Sequence, residues 1–137
     1  MQVEKSERWP DLRLAANALE KGSGEGVKVA IIDSGVDLSH PALSGLTLLD
    51  DVAISCDGAN IRIEERSGDD LYGHGTAVTS LLLKESPGVQ VGSFRALDSR
   101  NHARNFVIAE CVKQAIARGY QVINCSFGCR GQAKYVM

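Results

Sequence analysis

Residues 27–32, VKVAII, are nearly all apolar and rich in β-branched side chains, and the run stops abruptly at Asp33-Ser34-Gly35. A short apolar run bounded by turn residues predicts a strand buried on both faces, as in a parallel sheet. LTLLDDVAI (46–54), VQVGSFRAL (89–97) and QVINCSF (121–127) predict three more strands. Between them the period changes. Ala77, Val78, Leu81 and Leu82 recur at helical spacing from Gly73 to about Lys84. RNFVIAECVKQAIARG (104–119) predicts the clearest helix, with Ile108, Cys111, Val112, Ala115 and Ile116 inward and Glu110, Lys113, Gln114 and Ala117 outward. Arg118 suits the negative end of that helix and Gly119 its C′ position. DLRLAANALE (11–20) predicts a short amphipathic helix through Leu12, Leu14, Ala15 and Leu19, followed by a glycine-rich loop, KGSGEG (21–26). The polar, acidic residues 55–70 predict a surface hairpin or loop.

Strands alternating with helices predict an α/β fold, a parallel sheet flanked by helices on both faces. In such sheets chemistry collects at the carboxyl ends of the strands. Asp33 stands there on the first strand, and Ser126 and Gly128 on the fourth. The 137 residues suit one domain, and 44% apolar with 23% charged residues is ordinary for a globular protein. A net charge of -2 gives no basic surface for nucleic acid, so no nucleic-acid partner is expected. No apolar run approaches the about 20 residues that cross a bilayer, so no membrane partner is expected. The N-terminal MQVEKSERWPDLRL is too charged for a secretory signal, which makes the expected location cytoplasmic. In that setting Cys56, Cys111, Cys125 and Cys129 are expected as reduced thiols packed like small apolar groups, not as a zinc site. No G-x-G-x-x-G follows the first strand, which removes a dinucleotide-binding assignment, and no cofactor is expected.

One histidine stands out. In DDLYGHGTAVTSLLL (69–83), His74 lies between two glycines where a helix is about to start. A helix N-terminus disfavours a protonated imidazole and keeps it available as a base. Taken alone, His74 could be a surface residue in a helix cap, and Asp33 could simply cap the Ser34-Gly35 turn. Together they suggest more, because an aspartate can hold a histidine in one tautomer and stabilise the imidazolium that forms when it takes a proton.

Three blocks, VKVAIIDSGVDLSHPAL, GHGTAVTSLL and VINCSFG, follow one another across most of 27–128. In this order they resemble the subtilisin-like serine peptidases. The resemblance implies that Asp33 is the orienting acid, that His74 is the general base, and that Ser126, Phe127 and Gly128 pair with an extended peptide substrate. It also implies a nucleophilic serine in a Gly-Thr-Ser-x-Ala block and an oxyanion-hole asparagine, and the 137 residues hold neither. Residues 1–137 are therefore expected to be the N-terminal part of a single peptidase domain, inactive alone. The expected partners are a peptide or protein substrate and a C-terminal segment or complementing chain bearing the serine. Where many relatives ligate calcium through His-Pro-Asp-Leu, this chain has His40-Pro41-Ala42-Leu43, so no metal is expected at that site. The acidic stretch 57–70 raises the expectation of a preference for basic substrates. Two alternatives remain open. One is a non-catalytic peptide-binding or regulatory module on the same fold. The other is a generic doubly wound domain in which Asp33 and His74 need not meet.

Overall fold

The computed structural model describes residues 11–65 and 68–128. Its strands are β1 (Lys28–Asp33), β2 (Asp51–Asp57), β3 (Asn60–Glu65), β4 (Gln90–Arg95) and β5 (Val122–Asn124). Its helices are α1 (Leu12–Lys21), α2 (His74–Glu85) and α3 (Asn105–Ala117). The sheet runs in the order β3-β2-β4-β1-β5. β1 pairs in parallel with β4, from Lys28 opposite Gln90 to Asp33 opposite Arg95. It also pairs in parallel with β5, where Asn124 lies opposite Ile31. β2 joins β4 in parallel.

The α/β architecture is the expected one, with a single departure at an edge. β3 runs antiparallel to β2, so the sheet is mixed. The polar stretch after β2 doubles back over a two-residue turn, Gly58-Ala59, with Asp57 opposite Asn60. Gly58 has φ 62, a left-handed conformation that suits such hairpin turns. Every residue of β3 is exposed, so no buried face marked it as a strand. Two other predicted strands move. β2 begins at Asp51, and Leu46 and Leu48 pack against the sheet from the irregular segment before it. β5 covers only 122–124 of the expected 121–127.

β1 is central and carries both layers of the core. Val29 and Ile31 face α2, where they meet Val91 with Val78, Leu82 and Leu83. Ala30 and Ile32 face the other way, into a cluster with Val52, Ile54, Phe94, Val107, Cys111, Ala115 and Tyr120. This alternation is the two-residue period of a strand whose two faces are both covered. Within α3 the buried stripe is Val107, Cys111 and Ala115, and Ile116 is 64% exposed. Ile116 was expected inward, but it lies about 140° around the helix from Cys111 at 3.6 residues per turn. α1 forms as predicted, yet none of its residues is buried, and Leu12, Leu14 and Leu19 stay exposed. Of the described cysteines, Cys111 is buried, Cys56 half-buried and Cys125 exposed, and all three are free thiols. Cys129 lies outside the described residues. Only Cys111 is packed as fully as expected, and burial pushes its thiol up to about 12.

The C-terminal end of α3 is closed by Gly119, at φ 75. Its N–H donates to Ile116 and that of Tyr120 to Ala115, the paired bonds of a Schellman motif. The motif turns Tyr120 onto the sheet, edge-on to Phe94 at 5.3 Å between ring centroids. Its hydroxyl donates to Asp50, which also pairs with Arg118, and Arg118 reaches Glu65 at the end of β3. One end of α3 is thereby tied to β2 and β3. Gly92 leaves the space the tyrosine ring fills, since a Cβ there would overlap its hydroxyl and ring carbons. Gly92→Ala is expected to lower stability by about 1–3 kcal/mol through overpacking. The check is the midpoint of urea unfolding, and an unchanged midpoint would mean that the ring yields without cost.

Candidate active site

β1 delivers Asp33 to the carboxyl edge of the sheet, where the residue is only 1% exposed. A buried carboxylate needs partners. The Ser34 backbone N–H donates to Oδ1 at 2.7 Å. The second partner is His74, whose Nδ1 lies 2.9 Å from Oδ1 and 2.9 Å from Oδ2. An ionised carboxylate only accepts, so the proton of this contact sits on Nδ1, the tautomer that leaves the Nε2 lone pair free whenever the imidazole is neutral. The imidazole stays 35% exposed while the carboxylate beneath it is sealed. The two residues expected to act together are in contact, which the doubly wound alternative did not require.

Two chain segments must cross closely for this contact to form. His74 is the first residue of α2, and Gly73 before it has φ 97, in the left-handed region that suits glycine. A Cβ on Gly75 would overlap the carbonyl oxygen of Gly35, and one on Gly35 would overlap that of Asp69. Glycine at 35 and 75 lets the two backbones pass. A single bridge joins Gly35 to Asp70, and the Leu71 N–H donates to the Ser34 carbonyl at 3.0 Å.

Asp70 was expected to be a solvated acid in a surface loop. Its carboxylate is instead the busiest acceptor around the pair. Oδ1 accepts from the Ser34 hydroxyl at 2.7 Å, the Tyr72 N–H at 3.1 Å and the Gly73 N–H at 2.7 Å. Oδ2 accepts from the Thr76 N–H at 2.9 Å and from the Thr76 hydroxyl. The Thr76 Oγ1 in turn accepts from the Asp37 N–H at 3.0 Å. A trace of this was present in the sequence, because an aspartate just before a helix start is a capping signal. Its tie to Ser34, 36 positions away, had no local sign.

The predicted peptide-pairing residues leave the sheet at the same edge. Ser126 and Gly128 are exposed just beyond β5, and Phe127 packs partly against the core. Asn124 Nδ2 donates to the Ser126 hydroxyl at 2.9 Å, and among the described residues no hydrogen bond joins 126–128 to Asp33 or His74. The hydroxyls of Ser34 and Ser80, the serines nearest in sequence to Asp33 and His74, are both engaged elsewhere. Ser34 Oγ donates to Asp70 and accepts the Gly75 N–H at 3.0 Å, and Ser80 Oγ donates to the Ala77 carbonyl.

Beside the pair, Leu71 and Leu97 line a cavity of about 370 Å³. Arg95, Arg100 and Arg104 line it as well, with Asp98 as the one carboxylate. The acidic charge expected to attract basic substrates is largely engaged. Asp57 pairs with Arg62, Glu65 with Arg118, and Asp69 with Arg95. The geometry therefore gives no support to a preference for basic peptides.

A family model described as the subtilase family matches residues 24–135. The chain belongs to the subtilase family. This subtilase is 31% identical over 119 residues to a thermophilic serine proteinase of Bacillus sp. (strain AK1), covering 80% of this chain and 27% of that protein. It is 29% identical over 115 residues to subtilisin E of Bacillus subtilis (strain 168), covering 77% of this chain and 28% of that one. The chain thus spans well under a third of the length of either relative. Among solved structures, sphericase superposes with a TM-score of 0.68 at 22% identity, over 84% of this chain and 41% of that one. A lanthipeptide protease superposes with a TM-score of 0.60 at 26% identity, over 82% of this chain and 32% of that one.

The subtilase's Asp70 also couples stability to pH. Burial raises its pKa, but the bonds from Thr76, Gly73 and Ser34 together outweigh that and leave it below 3.8. A depressed carboxylate stabilises the fold above its unfolded value and loses that contribution as pH falls through its folded value. Asp70→Asn is therefore expected to be clearly less stable than the unaltered protein at pH 7. The gap should narrow as pH falls below 3.8. Urea midpoints of both proteins at pH 7, 5 and 3 test this, and a gap independent of pH would contradict it.

Proposed function

We propose that this chain supplies the acid and the base of a serine peptidase whose nucleophile comes from polypeptide beyond these 137 residues. The carrying observation is the 2.9 Å contact of His74 Nδ1 with the buried Asp33 carboxylate, at the open edge of the sheet. Membership of the subtilase family and relatives named as proteinases support the assignment. Residues 1–137 form the N-terminal part of one peptidase domain, completed by a continuation of the chain or by a second chain.

The chemistry is acyl transfer. As the incoming serine Oγ bonds to the peptide carbonyl carbon, its proton passes to Nε2 of His74. Asp33 stabilises the imidazolium and keeps its ring oriented. The same proton then goes to the departing amine, and a water activated by His74 hydrolyses the acyl ester. No step requires a metal or an organic cofactor. Ser126, Phe127 and Gly128 pair with the extended peptide and hold it against the edge. A non-catalytic peptide-binding module is the second reading, since the Ser34 and Ser80 hydroxyls are already bonded elsewhere.

The natural protein carrying these residues should label with a fluorophosphonate serine probe and should hydrolyse a peptide substrate. His74→Ala should lower turnover by roughly 10⁴-fold or more, because triad members act as a unit. Turnover within a factor of a few of the unaltered protein would remove His74 from the role of base. Peptide binding without labelling in the unaltered protein would favour the module.

A further inference from the structure

We propose that Asp70 is a positioning residue for the Asp33–His74 pair, acting through Ser34 to hold the start of α2 in register with the end of β1. The proposal rests on Asp33 and His74 being the acid and base of the site.

An N-terminal helix cap ordinarily comes from the residue at the N-cap position, whose side chain bonds one N–H of the first turn. Here that position is Gly73, which has no side chain to offer. Asp70 reaches in from three residues earlier and accepts the N–H groups of Gly73 and Thr76. The Ser34 hydroxyl accepts the N–H of Gly75 and itself donates a hydrogen bond to Asp70. His74 is therefore bracketed, with both sequence neighbours bonded to one Asp70–Ser34 unit. Ser34 directly follows Asp33 in the chain. The result is a closed circuit: Asp33 to Ser34 by covalent bond, Ser34 to Asp70 by hydroxyl, Asp70 to Gly73 by N–H, and His74 back to Asp33 through Nδ1. If the Asp70 link opens, the Nδ1 contact is backed only by single bonds across the crossing, from the Gly75 N–H to the Ser34 hydroxyl, from the Leu71 N–H to the Ser34 carbonyl and from the Asp37 N–H to Thr76.

An ordinary cap would stabilise α2 and do nothing more. Two details here serve the pair instead. The hydrogen bonds of Asp70 Oδ1 span from the Asp33 side, at Ser34, to the His74 side, at Gly73. Oδ2 holds Thr76, whose hydroxyl also accepts from Asp37 on the loop after β1, a second strap across the same gap. Asparagine has the same shape but one carbonyl oxygen. In either orientation its amide NH₂ faces donors, the Thr76 N–H in one and the Gly73 and Tyr72 N–H groups in the other.

The test compares the natural protein with Asp70→Asn and with Gly92→Ala, a comparator that loses stability far from the site. The protein has three histidines, so ¹⁵N-histidine labelling resolves the Nδ1 proton of His74 when it is held against Asp33. In Asp70→Asn that downfield proton is expected to broaden or vanish while far-UV circular dichroism stays native. kcat is expected to fall about 10- to 100-fold with KM within about 3-fold, as for a misplaced but intact base. In Gly92→Ala the proton should remain. If Asp70→Asn keeps the proton and a kcat within a factor of two, Asp70 is a cap and nothing more, and the proposal fails. Should Asp70→Asn not fold, Ser34→Ala decides by the same two readouts, with Ser34→Thr expected to restore both. A natural protein that cleaves no peptide at all would end the peptidase assignment. The His74 proton would still decide whether Asp70 positions the pair.

Discussion

The site depends on one close crossing, where the backbone leaving β1 at Gly35 passes under the backbone entering α2 at Gly75. Neither segment could approach so near with a side chain at those two positions. The approach brings His74 over Asp33, and it lets Asp70 bond both strands of the crossing at once. Asp33 then has hydrogen bonds from the Ser34 N–H and from the imidazole, which offset the cost of placing a carboxylate at 1% exposure. A buried acid under a partly open base is thus a consequence of backbone geometry before it is a matter of side-chain chemistry.

The sheet makes the crossing reproducible. β1 is paired on both sides and packed on both faces, so the place where it ends has little freedom. The residues that follow β4 add to this, because the N–H groups of Ala96 and Leu97 both donate to the Asp33 carbonyl. On one face α2 is anchored through Val78 and Leu82, about one and about two turns along from His74. On the other, α3 is held by its Cys111 stripe and by the cluster of Tyr120, Asp50 and Arg118. Close packing of this kind transmits small displacements instead of absorbing them. The position of the imidazole is therefore linked to core residues on the α2 face.

Parallel pairing explains why residues distant in sequence share one edge. β1, β4 and β5 run in the same direction, so Asp33, Arg95 and the segment after Asn124 emerge on the same side. That edge holds the Asp33–His74 pair, the arginine-lined cavity and the exposed Ser126 and Gly128. β5 has β1 as its one partner among the described strands, and its outer side lies open beside the apolar residues Val78, Leu81, Leu82 and Val122.

Much of this architecture could be read from residue order. The largely apolar run VKVAII announced a doubly covered strand, and its termination at Asp33 announced a carboxylate at the carboxyl edge of the sheet. Gly-His-Gly-Thr marked the helix start, and Gly119 marked a helix end that the Schellman bonds bear out. These are local signals, because each depends on the backbone freedom or burial of neighbouring residues. β3, the outward turn of Ile116 and the role of Asp70 could not be read this way. Residues 55–70 read as a hairpin or a loop, and β3, whose Ile61 and Ile63 alternate with polar residues but stay exposed, gives too short an apolar signal to choose between them. Ile116 is apolar and near the stripe, and its exposure follows from which face of α3 meets the sheet. Asp70 looked like one more acid in a polar loop, since the partner that gives it meaning, Ser34, is brought to it by folding. Local chemistry is written along the chain, whereas a contact between distant segments exists only once the sheet has aligned them.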